Sequence, residues 1–181
     1  MKIIVLDRDG VVNVDSDEHI KSEAEWQPIE GSIETIAELS SAGFKVAIAT
    51  NQSGLGRGLF AEHDLANIHH KLCYMVEELG GIVDGIFYCP HLPADVCSCR
   101  KPNVGLLQQI EREFNCSLSG TFFVGDSLSD IKAARAFGCT PVLVKTGKGL
   151  GTLQRLSSAE RAELHVFENL AAAKQLLLSF A

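Results

Sequence analysis

The sequence has no excess of basic residues and no hydrophobic run long enough to cross a membrane. Its 181 residues include 16 Lys and Arg against 23 Asp and Glu, which gives a formal net charge of −7. A general nucleic-acid binder needs a basic surface that replaces counterions, so no nucleic-acid partner is expected. The apolar stretches fall far short of the ~20 residues of a spanning helix, so no membrane partner is expected either.

The N-terminus also lacks the pattern of a secretion signal. The segment MKIIVLDRDG begins with one Lys and a short apolar run, but Asp7, Arg8 and Asp9 interrupt that run too early for a signal sequence. The expected location is therefore cytoplasmic. The six cysteines would then be reduced, which favours metal ligation over disulfides.

Repeats, low-complexity tracts and long linkers are absent as well, so residues 1–181 are expected to form one domain. Short apolar runs alternate with segments of helical periodicity, which predicts an α/β fold with a doubly wound, mostly parallel sheet. The predicted strands are Ile3–Leu6, Phe44–Thr50, Gly85–Tyr88, Thr121–Val124 and Pro141–Val144, with a weak sixth at His165–Phe167. The predicted helices are Ser32–Ala42, Glu62–Leu79, Asn103–Phe114, Ser129–Phe137 and Asn169–Leu178.

Polar residues follow the predicted strands, at the edge where doubly wound sheets bind their ligands. Asp7 and Asp9 follow the first strand and Asp126 the fourth, and three carboxylates make an oxygen-rich cluster suited to Mg²⁺. A carboxylate can attack a phosphoryl group, and the Lys101 ammonium and Thr50 hydroxyl could hold the phosphate oxygens. For any one of these residues alone, a turn or a helix cap is the alternative interpretation.

A second group of candidate ligands lies in the segment Cys89-x-His91-x5-Cys97-x-Cys99. Three Cys and one His suit tetrahedral Zn²⁺, and a site with four protein ligands is structural. Zinc here would fix the following residues, Arg100 and Lys101, in place. Reduced side chains without a metal, or a redox pair of Cys97 and Cys99, are the alternatives.

Four segments resemble the motifs of the haloacid-dehalogenase superfamily of phosphatases. They are Asp7-Arg8-Asp9-Gly10, Thr50-Asn51, Arg100-Lys101-Pro102, and Val124-Gly125-Asp126 with Asp130 four residues later. The resemblance extends over roughly the whole chain, and the Cys/His segment makes it specific to the subgroup related to histidinol-phosphate phosphatases. It implies a Mg²⁺-dependent phosphatase that acts on a small anionic sugar phosphate through an aspartyl-phosphate.

The resemblance also implies individual roles. Asp7 would be the nucleophile and Asp9 the general acid and base, while Thr50 and Lys101 steady the phosphoryl group and Arg100 contacts the distal part of the substrate. Mg²⁺ would be bound by Asp7, by the Asp9 backbone carbonyl and by Asp126. The other implied substrate contacts are Asp15, Ser16, Asp17, Glu18, Asn51, Gln52, Ser53 and Arg57. No large cap domain is expected between the first two strands, and a monomer is expected.

Two features of the sequence leave the substrate open. CPHLPADVCSCRKP is nearly the string found in histidinol-phosphate phosphatases, so histidinol phosphate is an alternative substrate. Ser127 stands where many superfamily members have Lys, so a phosphate contact would be lost or would pass to Lys145 or Lys148. A non-catalytic, zinc-stabilised binding module is an alternative of a different class, against which the complete set of Asp7, Asp9, Lys101 and Asp126 argues.

Overall fold

A computed structural model describes residues 2–179 of the chain. Its strands are β1 (Lys2–Leu6), β2 (Phe44–Asn51), β3 (Gly85–Cys89), β4 (Phe122–Gly125), β5 (Thr140–Val144) and β6 (His165–Phe167). They form one sheet in the order β3-β2-β1-β4-β5-β6, and all of these pairings are parallel. The predicted α/β fold with a doubly wound sheet is confirmed, and each predicted strand lies within one residue of its position in the structure.

The helices are α1 (Ser32–Ser41), α2 (Ser53–Gly56), α3 (Glu62–Glu77), α4 (Gly105–Phe114), α5 (Leu128–Phe137), α6 (Gly149–Arg155), α7 (Ser158–Ala162) and α8 (Leu170–Leu178). The five predicted helices are confirmed to within two residues at each end. Sequence analysis missed α2, α6 and α7, which have four, seven and five residues. Elements this short cannot show an apolar stripe at helical spacing.

The sheet is covered on both faces, as a parallel sheet requires. Successive strand residues point to opposite faces of the sheet, so alternate residues of one strand belong to two different hydrophobic cores. Helices α1, α3 and α8 pack on the face that carries Ile4, Leu6, Val46, Ile48 and Val124. Helices α4 and α5 pack on the face that carries Ile3, Val5, Ala47, Ala49 and Phe123.

The strand order places a crevice at the carboxyl ends of β1 and β4. The chain proceeds from β1 outward to β3 and then returns to the other side of β1, so the crossover direction reverses between β1 and β4. Ligands of doubly wound sheets bind at such a reversal. The pairing of Leu6 with Val124 continues into a hydrogen bond from the Asp7 N–H to the Val124 carbonyl, at 2.8 Å. Asp7 and Asp126 therefore leave the sheet side by side.

The segment from residue 10 to residue 31 is held against the body of the protein. Its Trp26 side chain is fully buried, and the Ser32 hydroxyl donates to the Val12 carbonyl at 2.7 Å. Between β1 and β2, the described residues contain this segment and α1 but no large cap domain. No helix within residues 2–179 is long and apolar enough to cross a membrane.

Candidate active site

A cavity of about 310 Å³ opens at the carboxyl edge of the sheet. All the residues that the sequence predicts to be catalytic line it: Asp7, Asp9, Thr50, Arg100 and Lys101. So do Asp126 and six of the eight predicted substrate contacts, namely Asp15, Ser16, Asp17, Asn51, Gln52 and Ser53. Four segments that are far apart in sequence therefore meet at one place.

Lys101 lies almost fully buried at the centre of this site. Its Nζ is 2.9 Å from Asp7 Oδ1 and 2.6 Å from Asp130 Oδ1, and it donates to the Ala49 carbonyl at 2.8 Å. Burial opposes the charge of the ammonium, but Asp130 and Asp7 raise the pKa of Lys101 above its usual value. Lys101 is therefore a fixed positive charge beside the predicted nucleophile.

Asn51 holds the backbone that carries Lys101. The Asn51 side chain accepts from the Lys101 N–H at 3.0 Å and donates to the Lys101 carbonyl at 3.1 Å. Asn51 is the last residue of β2, so this pair of hydrogen bonds ties the segment after the cysteines to the end of a central strand. Asn51 thus has a positioning role in addition to its place in the cavity wall.

Asp7, Asp126 and Asp130 form a buried group that we call the acid cluster. One carboxylate oxygen from each lies within 4.8 Å of the others. Burial, followed by the nearby Asp130 carboxylate, raises the pKa of Asp126 to about 7, and burial raises the pKa of Asp7 well above its usual value. Hard oxygen donors crowded in this way fit Mg²⁺, because the cation offsets their mutual repulsion.

The Asp9 carboxylate lies outside the acid cluster and is held by other partners. The Arg8 guanidinium donates to both of its oxygens at 2.9–3.1 Å, Asn13 Nδ2 donates to Oδ1 at 2.9 Å and Gln52 Nε2 donates to Oδ2 at 2.8 Å. Burial would raise the pKa of Asp9, but Arg8, together with the amide of Asn13, lowers it overall. The side chain remains 21% exposed, so a fixed, ionised carboxylate borders the cavity.

Two glycines allow the loop after β5 to close over the acid cluster. A Cβ atom on Gly10 would come within 2.1 Å of Asp126 Oδ2, and one on Gly147 within 2.2 Å of the same atom. Both residues also have positive φ angles, +81° and +57°, which favour glycine. The closure is secured by a hydrogen bond from the Thr146 hydroxyl to the Gly10 carbonyl at 2.6 Å.

Two of the eight predicted substrate contacts lie outside the cavity, and five residues outside that predicted set lie in its wall. Glu18 and Arg57 are exposed and are not among the residues that line the cavity, so the geometry gives their predicted role no support. The cavity wall also contains His19, Ile20, Ser127, Ser129 and Lys148. Of the two lysines considered after β5, Lys148 lines the cavity and pairs with Asp15 at 3.0 Å, whereas Lys145 pairs with Glu168.

Asp130 belongs to the acid cluster but is missing from the ligand set predicted from the sequence. It belongs to the motif quoted above, yet only Asp126 of that motif was predicted to bind a metal. In the structure Asp130 pairs with Lys101, and its Oδ2 accepts from the Ser127 N–H and hydroxyl at 3.0 and 2.6 Å. The signal was its spacing, because four residues after Asp126 is one turn into α5, whose first turn faces the same crevice.

Residues 89–99, which we call the Cys/His loop, bring four ligand atoms together beside this site. The Cys89, Cys97 and Cys99 sulfurs and His91 Nδ1 all lie within 4.8 Å of one another. Around tetrahedral zinc such atoms are roughly 3.5–3.8 Å apart, which this loop can meet with small shifts. Burial, with Cys99 nearby, raises the pKa of the Cys89 thiol to about 12, so the site needs a cation to hold thiolates.

The fold and the acid cluster beside Lys101 define the haloacid-dehalogenase-like hydrolases. A family model described as HAD-hydrolase-like matches residues 98–173. The D-glycero-beta-D-manno-heptose-1,7-bisphosphate 7-phosphatase of Pseudomonas aeruginosa is 52% identical over 176 residues, which is 97% of each chain. The chain belongs to the family of these heptose-bisphosphate phosphatases.

Solved structures agree with this assignment. The D,D-heptose 1,7-bisphosphate phosphatase of Bordetella bronchiseptica, complexed with magnesium and phosphate, superposes with a TM-score of 0.93 at 48% identity, covering 100% of both chains. The enzyme of the same name from Burkholderia thailandensis gives a TM-score of 0.75 at 38% identity over 99% of both chains.

Proposed function

We propose that this protein is a Mg²⁺-dependent phosphatase that removes the C7 phosphate of D-glycero-D-manno-heptose 1,7-bisphosphate and leaves heptose 1-phosphate. The observation that carries the proposal is the convergence of Asp7, Asp9 and Lys101 on one cavity. The sequence identity to heptose-bisphosphate phosphatases supports the substrate. The reaction would serve nucleotide-heptose synthesis for lipopolysaccharide in the cytoplasm.

The side chains around the cavity support a two-step displacement. An Asp7 oxygen attacks phosphorus and the bond from phosphorus to the sugar oxygen breaks. Asp9, which is ionised in the free chain, takes up a proton when the anionic phosphate binds beside it and gives that proton to the sugar oxygen. Asp9 then takes a proton from water as the water oxygen attacks phosphorus, which breaks the bond to Asp7 and releases inorganic phosphate. Lys101 and the Thr50 hydroxyl offset the charge on the transferring group.

The acid cluster would hold the magnesium ion. Asp7 and Asp126 would supply carboxylate oxygens, the Asp9 backbone carbonyl remains the third predicted donor, and Asp130 adds a carboxylate that lies beside them. Bound Mg²⁺ supplies positive charge to the nucleophile and to the phosphoryl oxygens. Zn²⁺ in the Cys/His loop would have a structural role, because Arg100 and Lys101 directly follow its last ligand.

The wall of the cavity bears on the choice of substrate. Besides Lys101, the Arg100 and Lys148 side chains line the described cavity, and they could contact the second phosphate of a bisphosphate. Histidinol phosphate is the second candidate, because Asp15 and Asp17 line the same cavity and could receive its ammonium group. The proposal includes a monomeric, single-domain enzyme, and the formal net charge of −7 argues against a nucleic-acid partner.

The test is phosphate release from heptose 1,7-bisphosphate and from histidinol phosphate, with and without Mg²⁺. We expect Mg²⁺-dependent release of one phosphate per heptose bisphosphate and little turnover of histidinol phosphate. Heptose 1-phosphate is the matched control and should not be hydrolysed. Good turnover of histidinol phosphate without turnover of the heptose ester would overturn the proposed substrate.

A further inference from the structure

The fully buried Arg8 side chain connects Asp9 to helix α3. Its Nε and Nη2 are the atoms that donate to Asp9. Its Nη1 lies 3.2 Å from Nε2 of His69, a residue 61 positions away that none of the motifs includes. Because a guanidinium can only donate, the His69 ring must accept through Nε2 and therefore carries its hydrogen on Nδ1.

The surroundings of His69 favour this neutral form. Burial, with the Arg8 guanidinium nearby, lowers the pKa of His69 to about 3, so the ring has a free lone pair throughout the neutral range. Its ring packs against Tyr88, with the ring centroids 5.9 Å apart, and Tyr88 directly precedes Cys89. The ring is therefore held on one side by β3 and on the other by Arg8.

We propose that His69 is a positioning residue for proton transfer, which acts by fixing Arg8 and, through Arg8, the angle at which the Asp9 carboxylate meets the cavity. The geometry supports this role because the Arg8 edge that contacts Asp9 and the nitrogen that contacts His69 belong to one rigid plane. Rotation of that plane would move together the two Arg8 nitrogens, Nε and Nη2, that donate to the Asp9 carboxylate. The proposal rests on the proposed function, in which Asp9 protonates the leaving oxygen.

A purely structural role would have a different kinetic effect. Protonation assists the departure of a sugar alkoxide, which is strongly basic, but matters little for nitrophenolate, which is weakly basic. The parameter kcat/KM reports the steps up to the first irreversible one, which here is release of the alcohol. Loss of Asp9 positioning should therefore lower kcat/KM for the sugar ester much more than for p-nitrophenyl phosphate, whereas damage to the fold should lower both alike.

The experiment compares His69→Ala, His69→Gln and His70→Ala in the full chain with Mg²⁺. General acids contribute about 10²–10⁴-fold to the rate. We expect His69→Ala to lower kcat/KM about tenfold for heptose 1,7-bisphosphate and less than about twofold for p-nitrophenyl phosphate. His69→Gln should recover most of the loss, because its amide oxygen can accept from Arg8 Nη1. His70 is exposed on the same helix, so His70→Ala should leave both values unchanged.

Each result decides the proposal. Equal losses on the two esters, or no loss with either, would overturn it, as would an unaltered chain that cleaves only the aryl ester. If His69→Ala does not fold, His69→Gln and His69→Leu make the same comparison, because Leu fills the space without an acceptor. If the unaltered chain does not hydrolyse the heptose ester, the proposed substrate is wrong, and histidinol phosphate then serves as the alkyl ester in the same comparison.

Discussion

The acid cluster and the Cys/His loop are two candidate metal sites that are built in opposite ways. The three aspartates of the acid cluster are buried and come from the ends of β1 and β4 and the first turn of α5. The four ligands of the Cys/His loop come from eleven consecutive positions, and among them only Cys89, at the end of β3, is buried.

The difference lies in what holds the ligands before a metal binds. The sheet, the Lys101 ammonium and the Asn51 side chain fix the acid cluster. In the Cys/His loop, residues 90–99 have no helix or strand. Hydrogen bonds from Arg100 and Asn103 hold the backbone carbonyls of His91 and Cys97, so we expect the metal to fix their side chains. We infer that the fold positions the acid cluster, which takes part directly in the reaction. The Cys/His loop instead depends on its metal, and it affects the reaction by positioning Arg100 and Lys101.

The largest expected effect comes from Asp7→Asn. An amide cannot form the aspartyl-phosphate, so turnover should fall by about 10⁴-fold or more. The fold should persist, since Asn keeps the shape and removes one charge from a crowded acid cluster. Phosphate release and thermal unfolding of the same sample measure both. Substantial residual turnover would show that Asp7 is not the nucleophile. An unfolded variant would show that the fold depends on the acid cluster, which contradicts the view that the fold positions the cluster independently.

Loss of the zinc site should have a smaller effect on rate but a larger one on local order. Cys99→Ser removes one ligand, and we expect zinc content well below one ion per chain and kcat/KM lower by about 10- to 100-fold. The sheet should stay folded, because Cys99 is only partly buried against the core on the α4 and α5 face, and the core on the other face contains no residue of the loop. Elemental analysis measures the zinc content, limited proteolysis near residue 95 the local order, and circular dichroism the fold. Phosphate release measures kcat/KM.

Cys73→Ser is the matched control for that variant. Cys73 lies on α3 outside the Cys/His loop and is only half-buried, so zinc content and turnover should stay close to those of the unaltered chain. Full zinc content in the Cys99→Ser protein would contradict the assigned ligand set. Collapse of the whole fold would instead show that the loop stabilises the sheet, which would break the contrast between the two sites.

The sequence was sufficient to predict the parts of the site that lie on regular elements. Apolar runs located β1 and β4, and the parallel arrangement then placed Asp7 and Asp126 at one edge. The Cys/His loop could be predicted because its four ligands are close in sequence. In both places a local pattern carries the information, since strand ends and short loops bring their own residues together.

Contacts between distant segments could not be predicted in the same way. Nothing local indicates that Lys148 rather than Lys145 borders the cavity, because the choice depends on the turn at Gly147 and on the approach of Gly10. The contact between His69 and Arg8 likewise depends on how α3 packs on the sheet. Arg57 is implied as a substrate contact by the family resemblance, but it directly follows the short helix α2 and is exposed.

The smallest expected effect is the pH dependence of Mg²⁺ binding, which tests the acid cluster as an electrostatic unit. In the folded protein the pKa of Asp126 is raised to about 7, above its ordinary value of 3.8. The proton therefore stabilises the fold at low pH, and this contribution is lost as the pH rises through about 7. Mg²⁺ competes with the same proton, so its affinity should rise by up to about tenfold per pH unit below pH 7 and level off above it.

Calorimetry of Mg²⁺ binding in two buffers of different ionisation enthalpy should detect proton release at pH 6 but little at pH 8.5. Zinc binding to the Cys/His loop should release protons at both values, because the pKa of Cys89 is raised to about 12. Mg²⁺ affinity that is constant from pH 5.5 to 7 would mean that the carboxylates are already ionised, and the crowding that distinguishes the acid cluster would then have no effect on binding.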